Sequence, residues 1–540
     1  MSIKKVFVLV LTVAIIVILT ACGSAEAAVP ETSGKQAEKV IVALTASDFH
    51  VAPFGSSSVR RMWMMQNLYA SLYHTPFYGA TLDEMEPWLA KSIEKVDDLT
   101  YTVELYDYIY DSKGNHITAE DIVFSYERLR VDSRETRIGT YLDAIEVVDD
   151  YNMIFRLKKS GPGVAEFLFG SYTLTTCDKD WYESASEEER ANDPATTGAY
   201  RVVSHMPGSS VTFDAVENYW QTDESLRNSA DVQNVKTIVY TVITESSMRG
   251  IALENGEIDA TIVEVNELKR FYDGTNSLPG WNVNIADGNW CFLIFLNMDP
   301  YLQSEKSVFA DDLNLRKAAL YALDSESIMY GGGFDSSTGE VVYSLGIPLM
   351  RGYQEHWAAD YFNYNPERAR EYFQASGHAP GSVTVRLLSR TSIANGIHSV
   401  IISNLEAVGF KVELLAYDQA LFNTYRNDST QWDLLFDNKG GTGHIATLWD
   451  NNFNPEGFAN GSANFTHDDH LVELLNKVTT TGALEDIEAF HDYLKELALG
   501  KGIYTALNLM VAREGILYQA VNAGMTPRVN AFVFAEDYDK

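Results

Sequence analysis

Residues 98–129 read DLTYTVELYDYIYDSKGNHITAEDIVFSYERL. TYTVEL at 100–105 is β-rich, with side chains alternating as in a strand that buries one face. DIVFSYERL at 121–129 spaces its apolar residues at three and four, the period of a helix. Thr118, with Asp121 three residues on, marks the start of that helix, because a capping oxygen and a reciprocal carboxylate satisfy its first free N–H groups. A strand, a glycine-containing turn and a capped helix follow one another within this short stretch.

The same alternation continues on both sides. Strands are expected at 40–44 (VIVAL), 153–157 (MIFRL), 235–242 (VKTIVYTV) and 383–388 (VTVRLL). Helices are expected at 314–323, at 366–373 with Pro366 in the first helical position, at 399–408 and at 470–478. Strands interleaved with helices argue for α/β lobes with mixed sheets. Gly331-Gly332-Gly333 and Gly440-Gly441-Thr442-Gly443 are the clear flexible breaks, and no repeat of solenoid period is present.

The chain has 540 residues, too many for one core, so two or three domains are expected. Its formal net charge is −34, a field that repels nucleic acid and anionic membranes. The N-terminus carries Lys4 and Lys5, an apolar run at 6–19 and small residues up to Cys22. That is the pattern of a secretory signal peptide at 1–21, too short to span a bilayer comfortably. Residues 22–39 are small and polar and read as a flexible tether. Cys177 and Cys291 are the remaining cysteines, with no Cys-x-x-Cys, so neither a zinc site nor a thioredoxin-like motif is supported.

The Leu19-Thr20-Ala21-Cys22 segment resembles the lipobox of bacterial lipoproteins, which implies a lipid on Cys22. Thr118-Ala119-Glu120-Asp121-Ile122-Val123-Phe124-Ser125-Tyr126 resembles a signature of the family-5 extracellular solute-binding proteins, the oligopeptide and dipeptide receptors of ABC importers. Further segments agree, in order. They are Gly198-Ala199-Tyr200 with Asn218-Tyr219-Trp220, Gly256-Glu257-Ile258-Asp259, the helix of 309–324, Asn365-Pro366 and Gly409-Phe410-Lys411-Val412. The resemblance implies a two-lobed, type II periplasmic-binding-protein-like α/β fold with an inserted subdomain in the first lobe. Lobe I would comprise 40–73, 195–290 and 505–540, the insert 74–194, and lobe II 291–504.

In that family a peptide lies extended in the cleft and a carboxylate meets its ammonium group. This chain departs from the pattern: Thr442 falls where the aspartate is expected and Lys439 where a tryptophan is expected. With the alignment shifted by a few residues, Asp437 or Asp450 could serve instead. Arg61, beside Arg60, stands near another expected acid. These changes point to a ligand carrying an anionic group at that end. Tyr141, Trp290, Asn438, Trp449 and Tyr504 are further expected ligand contacts, while Trp432 is expected in the core.

No Gly-x-Ser-x-Gly, Walker loop or His-Glu-x-x-His occurs, so an exported hydrolase lacks its motif. His467-Asp468-Asp469-His470 reads as a helix start before a metal site. The expectation is a monomeric, non-catalytic receptor without cofactor or metal, held to the outer membrane face or in a periplasm. It would deliver a peptide or small solute to the transmembrane subunits of an ABC permease. A receptor for an anionic small molecule or a metal complex is the alternative.

Overall fold

The computed structural model describes residues 36–45, 49–54, 62–132, 136–171, 173–288, 290–298, 307–440, 443–454, 468–517, 528–536 and 538. The signal peptide, Cys22, the tether up to residue 35, Arg61 and Thr442 lie outside the described residues. The stretch 98–129 folds as read. Thr100–Leu105 is a strand, and Ala119–Asp132 is a helix. The Asp121 carboxylate accepts from both the Thr118 N–H, at 2.7 Å, and the Thr118 hydroxyl. That strand sits inside an antiparallel four-stranded sheet ordered 90–97, 100–105, 152–157 and 142–147.

A seven-stranded sheet is built around Ala37–Leu44, which pairs in parallel with Val235–Val242 on one side and Ala260–Ile262 on the other. Antiparallel strands extend it to 200–206 at one edge and 281–286 at the other. Over 40–44 the residues of Ala37–Leu44 alternate between two apolar layers. Val40, Val42 and Leu44 join the large core shared with the four-stranded sheet, and Ala43 joins a smaller layer with Leu509 and Val511.

The six-stranded sheet runs in the order 339–341, 500–506, 290–296, 434–440, 383–390 and 410–417. Trp290–Leu296 (WCFLIFL) shows why a continuous apolar run belongs at its centre. Cys291, Leu293 and Phe295 enter one layer, and Ile294 and Leu296 enter the other. Val383–Arg390 pairs in parallel with both Phe410–Tyr417 and Leu434–Gly440.

The chain crosses from the seven-stranded to the six-stranded sheet between Trp281–Ala286 and Trp290–Leu296 and returns at Leu507, between Gly500–Ala506 and Asn508–Arg513. The crossings lie side by side. The Asn508 side chain donates to Asp287 O at 3.0 Å, and the Thr505 hydroxyl donates to Gly288 O at 3.2 Å. A Cβ on Gly288 would overlap the Ala506 carbonyl, so glycine is required there.

Cys177 and Cys291 are buried free thiols in separate apolar clusters. Among the described residues no helix is long and apolar enough to cross a membrane.

Candidate functional site: the strand-end edge of the six-stranded sheet

Strands 383–390, 410–417 and 434–440 all end on one edge of their sheet. Strand 290–296 starts there, with Trp290 opposite Gly440, and strand 500–506 ends there. Both crossings therefore leave from this edge. In open α/β sheets the crevice beyond the carboxyl ends of parallel strands is where solutes bind.

Asp437 dominates the edge. Its carboxylate is buried and lies 3.0 Å from Arg390, 3.2 Å from Arg426 and 3.2 Å from Lys439. Burial pushes the Asp437 carboxyl up, but Lys439, Arg390 and Arg426 outweigh it and hold it below the usual carboxylate range. Burial pulls the Lys439 ammonium down, and Asp437 restores only part of that. The guanidiniums of Arg390 and Arg426 both lie over the ring of Phe422. Arg390 also donates to Asn438 Oδ1 at 2.5 Å. The Nε atoms of Arg390 and Arg426 are buried without a hydrogen-bond partner among the described residues. Asp437 is thus committed to three cations and is no anchor for an ammonium group.

The inserted segment meets the same region along a seam. Lys159 lies 3.6 Å from Asp450 and over the Tyr141 ring. Arg351 pairs with Glu84 at 2.6 Å. A Cβ on Gly443 would lie 2.6 Å from Gly79 Cα, so the two backbones touch through glycine. A cavity of about 460 Å³ opens along the seam, lined by Thr81, Glu166, Arg351, Gln354 and His444 among others. Burial, with Arg351 beside it, lowers His444 to about 4, so its ring is neutral and its Nδ1 caps the helix Ile445–Phe453 by accepting from the Ala446 N–H.

The expected ligand contacts separate into three groups. Asn438 and Lys439 sit on the charged edge, with Trp290 beside them, 41% exposed and with its ring against Gly440. Tyr141 is buried edge-on against Phe167, on the seam near Asp450. Burial, then the Asp450 charge, pushes its hydroxyl up to about 12.

Trp449 and Tyr504 are corrections. Trp449 shares a helix face with Ile445 and Phe453, at spacings of four, and points into the core, where its N–H donates to Leu345 O at 2.7 Å. Tyr504 follows a register shift opposite Phe292 and Leu293, which turns its ring onto Phe292 at 4.5 Å inside the core. Trp432 is buried, as expected. Asp468 caps the helix Asp469–Thr481, the helix-start reading of His467–His470, with His467 outside the described residues.

Arg390, Arg426, Arg351 and Lys159 were not legible as site residues. No local spacing joins them, and only strand pairing and the seam bring them together.

Residues 84–459 match the model of the bacterial extracellular solute-binding proteins, family 5 middle region. The chain is similar to the oligopeptide-binding protein AppA of Bacillus subtilis, 25% identical over 297 residues. That match covers 54% of this chain and 51% of the relative, so the chain spans about half the length of that curated relative. In fold it is similar to the ABC transporter substrate-binding protein CtaP of Listeria monocytogenes, with a TM-score of 0.77 at 18% identity, covering 93% of this chain and all of that one. It is also similar to AppA of Bacillus subtilis solved with a nonapeptide, with a TM-score of 0.71 at 17% identity, covering 93% of this chain and all of that one. These likenesses identify the architecture as the two-lobed, type II periplasmic-binding-protein fold. The family match spans well over half of the sequence, and the chain belongs to the bacterial extracellular solute-binding proteins of family 5.

Proposed function

We propose that this chain is the solute-binding component of an ABC importer, exported, lipid-anchored at Cys22, and acting by binding without catalysis. It captures a peptide between two lobes that close about the crossings after Ala286 and at Leu507, and it delivers the peptide to the permease. Lobe I is 40–73, 195–290 and 505–540, lobe II is 291–504, and 74–194 is the insert that closes over lobe II. The observation that carries this reading is the pair of adjacent crossings at the strand-end edge, a hinge beside a crevice.

A second reading of the solute is favoured by Asp437. Two guanidiniums and an ammonium converge on this one buried carboxylate, and both Arg Nε atoms lack hydrogen-bond partners among the described residues. Such an edge prefers an anionic group to a free ammonium group.

Native mass spectrometry of residues 24–540 purified from cells separates these readings. A mixture of co-purified peptides is the expected result. One defined anionic mass moves the solute to the second reading. Failure to bind any member of a peptide and organic-acid panel, or turnover of that panel, overturns the receptor.

A further inference from the structure

A group of metal-ligating side chains lies apart from the strand-end edge, where the 3-10 turn Glu355–Ala359 packs on the helix Leu484–Leu497. Glu488, His491 and Asp492 occupy one helix face at spacings of three and four, with ligand atoms all within 4.8 Å of one another. His356 reaches the same group from the turn, its Nε2 lying 3.3 Å from Glu488 Oε1. His491 Nδ1 lies 3.6 Å from Asp492 Oδ1.

These separations carry chemical information. Four ligands at zinc bond lengths of about 2.0–2.1 Å form a tetrahedron whose edges are about 3.3–3.4 Å. The two nitrogen–oxygen distances fall close to that edge. Asp492 is 78% exposed, so its carboxylate can swing inward at little cost.

A second observation points to a ligand. The His491 side chain is 4% exposed, and neither ring nitrogen has a hydrogen-bond partner among the described residues. A buried imidazole in that state loses its hydration with nothing in return.

The surroundings are also built for the task. Trp357 stacks on His491 at 3.9 Å with the rings 6° from parallel, which fixes the imidazole plane. The indole N–H of the same Trp357 donates to Glu488 Oε2 at 2.9 Å, leaving Oε1 turned towards His356. One residue thus orients two ligands, as outer partners do in metal sites.

We propose that His356, Glu488, His491 and Asp492 bind one Zn2+ ion, stapling the 3-10 turn to the helix. Two imidazoles and two carboxylates are a nitrogen and oxygen donor set that suits zinc, and calcium or magnesium would want more oxygen ligands. The site does not depend on what the cleft captures.

The test uses the mature chain stripped with a chelator, then titrated with Zn2+ by calorimetry, with Co2+ as a spectroscopic probe. The expected result is one ion per chain, a tetrahedral Co2+ spectrum and a raised melting temperature. His356→Ala and Asp492→Asn, both at exposed positions that leave the fold intact, weaken binding at least tenfold, and Trp357→Phe weakens it by about tenfold. His491→Gln abolishes the spectrum. Absence of binding to the wild-type chain overturns the site. So does binding of unchanged affinity in the His356→Ala/Asp492→Asn double variant, which would place the ion elsewhere, for example at His467 and His470.

Discussion

Lys501 lies fully buried in the strand Gly500–Ala506, its ammonium donating to Phe362 O at 2.8 Å and Leu323 O at 3.2 Å. Burial lowers it to about 7, only partly opposed by Asp324. Between pH 7 and the ordinary lysine value near 10.4, the unfolded chain holds this proton and the folded chain does not. Its contribution to stability therefore rises with pH across that window, with a limiting slope of about 1.4 kcal/mol per pH unit, and is constant below pH 7. Lys501→Met removes the slope, and urea unfolding of both proteins from pH 6 to pH 10 reads it as the difference curve. Asp437 makes the opposite case. Asp437→Asn leaves Arg390, Arg426 and Lys439 facing one another and is expected to cost about 3–5 kcal/mol in the same assay. A loss below about 1 kcal/mol would show that water already screens the cluster.

At the scale of elements, caps decide where helices begin, and several caps hold site residues in place. Asp418 accepts from the Ala420 and Leu421 N–H groups at 3.0 Å and starts the helix Gln419–Arg426, which ends on Arg426. Asp418→Ala is expected to cost about 1 kcal/mol and to loosen Arg426 from Asp437, seen as a lower unfolding midpoint with unchanged m-value. Asn365 before Pro366 uses the same chemistry, accepting from the Arg368 N–H, whereas at Thr118 the Asp121 carboxylate reaches back to accept from the Thr118 N–H; both starts were legible because capping is local. The helix at 445–453 was not read from its sequence, and with it went the placement of Trp449. Its face becomes visible only once Ile445 and Phe453 are known to share it.

For the whole molecule, the proposed closure would be set by how near the segment carrying Gly79 comes to the six-stranded sheet. Gly443, at φ +93°, touches Gly79 through backbone atoms. Gly443→Ala adds a methyl group in a left-handed conformation at that contact and is expected to hold the seam open. The predicted result is solute affinity lower by about tenfold, or 1.4 kcal/mol, and a larger radius of gyration in small-angle scattering with solute present. Glu84→Gln, which breaks the half-exposed pair with Arg351, is expected to change affinity by less than about 1 kcal/mol. Equal effects from the two variants would mean that charge, and not backbone approach, governs closure.

The sequence by itself determined the α/β class, five of the strands, several helix starts and the core position of Trp432, because periodicity, caps and apolar runs act over a few residues, while the family was legible from the resemblance of its motifs. Only the tertiary structure decided which charges meet. Arg390, Arg426 and Asp437 converge because strand 383–390 pairs in parallel with strand 434–440 and the helix 419–426 packs across them. It also decided that Tyr504 turns into the core at a shift in strand register, and that His356 comes within reach of Glu488 across more than a hundred residues. Contacts of that kind depend on register and packing between distant segments, and no local pattern of side chains encodes them.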